Sequence, residues 1–269
     1  MSRSRRRALT LPPALRELEV ASIDDVTPGM RRVRLVGAQL GAFEVRGVRV
    51  PAFSTPAFDD HVKVLLPSPG HARPVLPVQE EGRLDWTAGG VRAIHRDYTP
   101  RHFDPVAGHL DLDFAHHPTG HASTWVESLA AGDPAWIVGP THSATMPEGA
   151  DWMLVVGDET ALPAIGRLLE ELGPDDRAQV LVEVADRTHE QDLATSAQVE
   201  LTWLHRDGAP PGSTDLLARA VQAAPWWDGQ AFAWVSGESA MLRPIRQFLK
   251  AERGLERDCL DLTGYWRAR

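Results

Sequence analysis

The feature that most constrains this chain is a change of texture near residue 150. Before it, short alternating or apolar runs such as Arg32-Val33-Arg34-Leu35-Val36-Gly37 and His61-Val62-Lys63-Val64-Leu65-Leu66-Pro67 are separated by turn residues. That spacing predicts the strands of a small antiparallel barrel over about residues 15–113. Pro51, Pro56, Pro67, Pro69, Pro74 and Pro77 exclude a long helix there, because proline lacks a backbone donor and clashes with the preceding turn. A short helix is expected over 123–130, stopped by Gly132, followed by a strand over 135–138 and a linker over 141–151.

Beyond residue 150, strands expected at 152–156, 179–184, 199–204, 231–235 and 258–262 alternate with helices at 161–172, 215–223 and 240–253. Such alternation requires crossover connections and a parallel sheet, which binds ligands beyond the carboxyl ends of its strands. Two domains follow, at 15–142 and 150–269, in keeping with a length of 269 residues.

Composition removes several functions. The longest apolar runs, at 152–156 and 180–182, fall far short of the roughly 20 residues that span a bilayer, so no membrane insertion is expected. A net charge of -9 opposes nucleic-acid binding, which needs a concentrated basic surface. Cys259 is the sole cysteine, so one chain can form neither a disulfide within itself nor a four-thiolate iron–sulfur cluster. Any electron carrier must be another cofactor. Ser2-Arg3-Ser4-Arg5-Arg6-Arg7 is followed by Leu11-Pro12-Pro13 where an export signal would place an apolar stretch, so it reads as a disordered basic tail on a cytoplasmic protein.

Three motifs carry chemistry. In Arg96-Asp97-Tyr98-Thr99-Pro100-Arg101, alternation puts Arg96 and Tyr98 on one strand face, with Thr99 able to hydrogen-bond from the adjoining turn. A planar ring with a polyol and a pyrophosphate needs this combination of aromatic wall, hydroxyl and cation; a core tyrosine beside an exposed arginine is the alternative. In His116-His117-Pro118-Thr119-Gly120-His121-Ala122-Ser123-Thr124-Trp125, a glycine turn enters a helix whose free N–H groups attract phosphate, with Ser123 as cap or ligand; a simple capped helix is the alternative. Pro118 and Gly120 argue against a metal site from His116, His117 and His121, and no metal is expected. Finally, Trp152-Met153-Leu154-Val155-Val156-Gly157-Asp158-Glu159-Thr160-Ala161-Leu162-Pro163 is a strand turning into a helix, with Thr160 expected as cap and Pro163 in the first turn. It lacks the G-x-G-x-x-G dinucleotide fingerprint.

These segments, with Pro28-Gly29-Met30-Arg31-Arg32-Val33-Arg34-Leu35, Asp60-His61-Val62-Lys63, Gly237-Glu238 and Gly264-Tyr265-Trp266-Arg267, resemble the siderophore-interacting protein family, flavoproteins related to the ferredoxin-NADP reductase group. The resemblance covers almost the whole chain, and the Asp-Glu-Thr-Ala-Leu-Pro run and the Tyr-Trp-Arg ending are its specific parts. It implies an N-terminal six-stranded antiparallel FAD-binding barrel and a C-terminal α/β nicotinamide-binding domain. Arg96, Tyr98 and Thr99 would lie along FAD, with His116, Gly120, Ala122, Ser123 and Trp125 at its pyrophosphate and Asp158, Thr160 and Ala161 completing the site. Trp234, Gly237 and Glu238 would meet NAD(P)H, although Trp234 also suits a core position. His61 and Lys63 would steer a ferric siderophore; a solvated strand is the other reading. Tyr265 and Trp266 either shield the flavin or form a buried terminal strand.

Two departures from the family pattern stand out. This chain has His116-His117 and Gly120-His121-Ala122-Ser123 where relatives commonly show His-Gly and Gly-Pro-Ala-Ser, and it ends Arg267-Ala268-Arg269 rather than in arginine and glycine.

The activity implied is reduction of ferric siderophores by NAD(P)H through FAD, with release of Fe2+ and no proton-transfer triad among the side chains. A general flavin or diaphorase-type reductase and a non-catalytic flavin- or siderophore-binding protein are the alternatives. A monomer is expected, with a ferredoxin as an alternative donor. Arg187 and Arg206 follow strands where a 2′-phosphate would be read, but Asp186 and Asp207 beside them argue the other way, so the sequence does not choose between NADH and NADPH.

Overall fold

A computed structural model of the chain describes residues 5–87, 90, 93–116 and 120–268. It comprises two compact units, one over residues 8–145 and one over 146–268 that also takes in residues 5–7.

In the first unit, seven strand segments pair in the order Pro100–Asp104, His109–Ala115, Met30–Val36, Leu15–Thr27, Pro134–Val138, Val62–Leu66 and Ile94–Tyr98. Every pairing is antiparallel. The segments at the two ends of this order are consecutive in the chain, separated by Thr99 alone. They are halves of one bent strand, so the sheet closes through six ribbons and its edges disappear. Alternation directs Val33 and Leu35, Val62 and Val64, and Leu110 and Leu112 into a common core. On the opposite face, register sets Arg32 beside Asp113 and Arg34 beside Asp111, each as a two-pronged ion pair of 2.7–2.8 Å.

Arg16 is buried in this unit. Its guanidinium donates to the carbonyls of Gln39 and Pro51 and lies over the rings of Phe43 and Phe53, which ties the 37–53 excursion to the barrel. Burial lowers its pKa to about 10.

In the second unit, five parallel strands run in the order Gln198–His205, Arg177–Val184, Trp152–Asp158, Ala231–Glu238 and Leu260–Trp266. Every residue of Trp152–Asp158 and of Ala231–Glu238 is buried, as central strands covered on both faces must be. The edge strand Gln198–His205 alternates instead. Helices Leu162–Glu171, Leu216–Ala223 and Leu242–Ala251 join the strands. From Trp152–Asp158 the order proceeds one way through Arg177–Val184 and the other way from Ala231–Glu238, which places a topological switch point between Asp158 and Glu238.

Three expectations change. The stretch read as a linker contains the strand His142–Ala144, which pairs with Ala8–Thr10. Thr160 is not the helix cap: the helix starts after Ala161, and Thr160 donates through its N–H (2.9 Å) and hydroxyl (2.5 Å) to Asp158 Oδ1, closing the turn before it. Residues 5–7 are not a loose tail. Arg6 is buried against Asp261 (2.7 Å), while Arg5 donates its N–H to Asp258 O and its guanidinium to Gly149 O. The sequence could not show these partners, because they lie more than 140 residues away.

Candidate functional site

The bent strand organises the barrel side of the site. Tyr98 pairs in register with Val62 and Arg96 with Val64, so both share the face that Ile94 turns to the core. Tyr98 packs on Phe114 (centroids 4.1 Å apart), and Phe114 on Trp125 (6.0 Å), which makes an aromatic run from the strand to the helix His121–Ser128. Burial holds the Tyr98 hydroxyl well above its usual pKa against the opposing pull of Arg96, so it remains a neutral donor. Arg96 is exposed, and its guanidinium donates to the carbonyl of its neighbour His95 (2.7 Å).

The helix His121–Ser128 begins at Gly120 with no side-chain cap and no acidic residue in its first turn. Ser123 is therefore not the cap; it is the third helical residue and is buried, as is Ala122. Free N–H groups at such a start, a cation and an aromatic run form a donor set that fits a flavin dinucleotide. His116 contacts Glu127, and His121 meets Pro67 O at 2.7 Å, so the two rings are engaged by different partners. His117 lies outside the described residues.

His61 and Lys63 occupy the other face of the barrel wall. Lys63 pairs with Asp97 at 2.8 Å, and His61 and Lys63 line a cavity on a surface that Tyr98 does not share. The cavity, of about 310 Å³, is lined by His61, Lys63, Trp86, His95 and Val138 among others. Trp86 and His95 escaped the sequence reading, because nothing along the chain signals that the ribbon Arg83–Asp85 lays Trp86 beside His95 (5.5 Å).

At the switch point of the second unit, side chains are engaged internally. Asp158 accepts from Thr160, from the N–H of Glu238 (2.9 Å) and from Trp266 Nε1 (2.7 Å). Burial pushes its pKa up to about 6, although the Thr160 and Trp266 bonds pull it down. Glu238 accepts from the N–H groups of Ala240, Met241 and Ala268. Ala161 is fully buried against Gly157, so of Asp158, Thr160 and Ala161 only Thr160 keeps partly accessible surface. Trp234 is a core residue at 1% exposure, the position its sequence context also suited. Gly237 has φ +148°, and a Cβ there would lie 2.6 Å from Asp158 Oδ2 and 2.7 Å from Met241 Cε. A smaller cavity of about 180 Å³ opens beside Asp158, Glu183, Thr214 and Glu238.

Arg206 is held by Glu159 through two bonds of 2.6 and 2.7 Å, with Glu183 at 3.4 Å. Asp186 accepts from Thr188 and His189, which lowers its pKa to about 2. Arg187 remains exposed. Trp266, read from the sequence as either a flavin shield or part of a buried terminal strand, bonds to Asp158 across 108 residues.

A closed antiparallel barrel followed by a parallel sheet with a switch point defines the class of two-domain flavin reductases. The chain belongs to the siderophore-interacting protein family: residues 19–144 match its model described as the siderophore-interacting FAD-binding domain, and residues 150–269 match that of the siderophore-interacting protein. The model matched by the first unit is described as binding FAD. The crystal structure of a siderophore utilization protein from T. fusca is similar, with a TM-score of 0.87 at 40% identity over 97% of this chain and 96% of that one. The NADPH-dependent ferric-chelate reductase of Escherichia coli is 31% identical over 94% of this chain and 93% of its own. The ferric vibriobactin reductase ViuB of Vibrio cholerae is 28% identical, covering 88% of this chain and 87% of that one. Fold alone is shared with the ferredoxin reductase in carbazole 1,9a-dioxygenase, at 16% identity and a TM-score of 0.61 over 95% of this chain and 70% of that one. Among the described residues, no helix is long and apolar enough to cross a membrane.

Proposed function

We propose that this protein is an FAD-dependent ferric-siderophore reductase that takes electrons from NAD(P)H and releases Fe2+. The observation that carries the reading is the aromatic run Tyr98–Phe114–Trp125 joining an exposed arginine to an uncapped helix start on the closed barrel. Bound FAD supplies the conversion between the two-electron chemistry of a nicotinamide and the one-electron demand of Fe3+.

The chain's own residues bind and orient. Arg96 and the helix start at Gly120 hold negative charge, Tyr98 and Thr99 donate hydroxyls beside the aromatic wall, and Ser123 and Trp125 shape the helix face. His116 and Ala122 complete that corner. In the second unit, Thr160 is the flavin-side contact, and the nicotinamide docks at the switch point on Gly237 and the backbone that Asp158 and Glu238 fix. No side chain is needed to move a proton, because hydride transfer depends on geometry. His61 and Lys63 receive the anionic chelate. Hard oxygen donors hold Fe3+ better than Fe2+, so reduction loosens the chelate.

The same reading makes the protein a cytoplasmic monomer, with domains at 15–142 and 150–269. Its test is an absorbance spectrum of the purified protein, then anaerobic addition of NADH or NADPH. Flavin bands that bleach with either donor and recover on adding a ferric chelate are expected. Colourless protein that takes up no FAD on reconstitution defeats the reading. Faster turnover with dye acceptors than with every ferric chelate would favour a general diaphorase.

A further inference from the structure

The carboxyl ends of the strands in the α/β unit carry an excess of acid. Among the described residues, the cavity of about 180 Å³ there is lined by Asp158, Glu183, Asp215 and Glu238 and by no basic side chain. Arg206, which follows the strand Gln198–His205, does not offset this charge for a ligand. Its side chain is only 3% exposed and already engaged: Glu159 takes both terminal nitrogens at 2.6 and 2.7 Å, and Glu183 lies 3.4 Å away. To meet a phosphate, the guanidinium would have to give up two charge-assisted bonds and leave Glu159 unpaired. Glu183 accepts from the Thr214 hydroxyl at 2.7 Å and retains lone pairs for a further hydroxyl donor. The neighbouring turn repeats the pattern. Exposed Arg187 stands beside Asp186, whose bonds from Thr188 and His189 hold its carboxyl at about 2 and so charged at neutral pH, and His205 is paired with Glu190 at 2.8 Å. In parallel α/β sheets an acidic residue at this end hydrogen-bonds the hydroxyls of an unphosphorylated ribose, whereas a 2′-phosphate is met by an arginine. Such a phosphate would add about two negative charges to this cluster.

We propose that this end of the α/β unit selects the electron donor by exclusion: Glu159 withholds Arg206 from a 2′-phosphate and Glu183 accepts a ribose hydroxyl, so the donor is NADH and not NADPH. Glu159 is then a positioning residue that acts through Arg206. The inference rests on the reductase reading for the presence of a nicotinamide and on the ion cluster for its identity.

The test is calorimetric titration of FAD-loaded protein with NAD+ and with NADP+, followed by anaerobic bleaching of the same samples with NADH and with NADPH. NAD+ is expected to bind about tenfold more tightly than NADP+, the usual worth of one charge-assisted contact. Glu159→Gln removes the charge that holds Arg206 and keeps the shape of the side chain, so NADP+ should tighten by about tenfold while NAD+ affinity holds. Glu159→Asp keeps the charge and should keep the discrimination. In the double variant Glu159→Gln, Arg206→Met the gain in NADP+ affinity should vanish, because its source is the released guanidinium. NADP+ binding as tight as NAD+ in the wild type, or discrimination unmoved by Glu159→Gln, overturns the proposal, and the wild-type comparison decides alone should the variants fail to fold. A gain in NADP+ affinity that survives the loss of Arg206 overturns it too. Equal bleaching by both donors defeats the selection and leaves the reductase reading intact. A Glu159-dependent preference for NAD+ in a protein that neither donor bleaches would keep the selection and sink that reading.

Discussion

The candidate residues of the barrel and those of the α/β unit are bonded in opposite ways. On the barrel, Arg96 has an exposed guanidinium, the helix start at Gly120 has no side-chain cap, and Trp86 presents a ring to a cavity. At the switch point, Asp158 and Glu238 are engaged with backbone N–H groups and Trp266, and Trp234 is sealed in the sheet. The difference teaches where each site keeps its specificity. On the proposed reading, the barrel would recognise through side chains that can be altered singly, and the α/β unit through a backbone shape that buried carboxylates hold in place.

If so, the switch point should tolerate change least, and Gly237→Ala is the severest single test. The new Cβ meets a carboxylate oxygen at 2.6 Å and a methionine methyl at 2.7 Å, at a φ that side chains disfavour. A loss of roughly 3 kcal/mol or more in urea unfolding is expected, from steric strain and displacement of Asp158 together. A variant as stable as the wild type would break the comparison outright.

Asp158→Asn is the next test. An amide NH2 in place of Oδ2 would face two donors, Glu238 N–H and Trp266 Nε1–H, so a loss of about 2–3 kcal/mol at pH 7 is expected. Its pH signature has a definite sign. The folded pKa of about 6 exceeds the usual carboxylate value, so the folded protein binds this proton more tightly than the unfolded chain does. That contribution is complete below about pH 4 and is lost as pH rises through 6. Unfolding free energies of wild type and variant measured across this window should therefore differ by more at the acidic end in the wild type's favour, once other titrating groups cancel. A constant difference would mean that the Asp158 carboxyl titrates as it does in the unfolded chain.

Much of this division was legible along the chain. The apolar runs of the second half mark its central strands because strands buried on both faces leave no place for alternation, and the prolines of the first half confine it to short strands. Arg96 and Tyr98 were legible as a shared face because alternation is a local property. What escaped depends on distance in sequence. The bond from Trp266 to Asp158, the grip of Glu159 on Arg206 and the docking of Arg6 on Asp261 join residues whose types alone do not reveal a partner. Thr160 was misread as a cap because the same residue types close an Asx turn and start a helix, and the choice lies with Asp158 two positions earlier. Trp86 gave no signal because its role exists only once Arg83–Asp85 has folded across the wall.

The smallest expected effect on stability sharpens the comparison most. Arg96→Ala removes an exposed side chain whose guanidinium bonds to the adjacent carbonyl, so unfolding should shift by no more than about 0.5 kcal/mol. Its effect on cofactor should be large, because a charge-assisted hydrogen bond to phosphate is worth about 1.5–3 kcal/mol, or roughly 10- to 100-fold in affinity. Flavin dissociation constants measured by fluorescence for wild type and variant, alongside unfolding curves of both proteins stripped of flavin, separate the two quantities. Arg96→Lys should recover only part of the affinity, since an ammonium supplies charge without the planar fork. Unchanged flavin affinity in Arg96→Ala would move recognition from this side chain to the helix start, and the barrel would then resemble the α/β unit in relying on backbone alone.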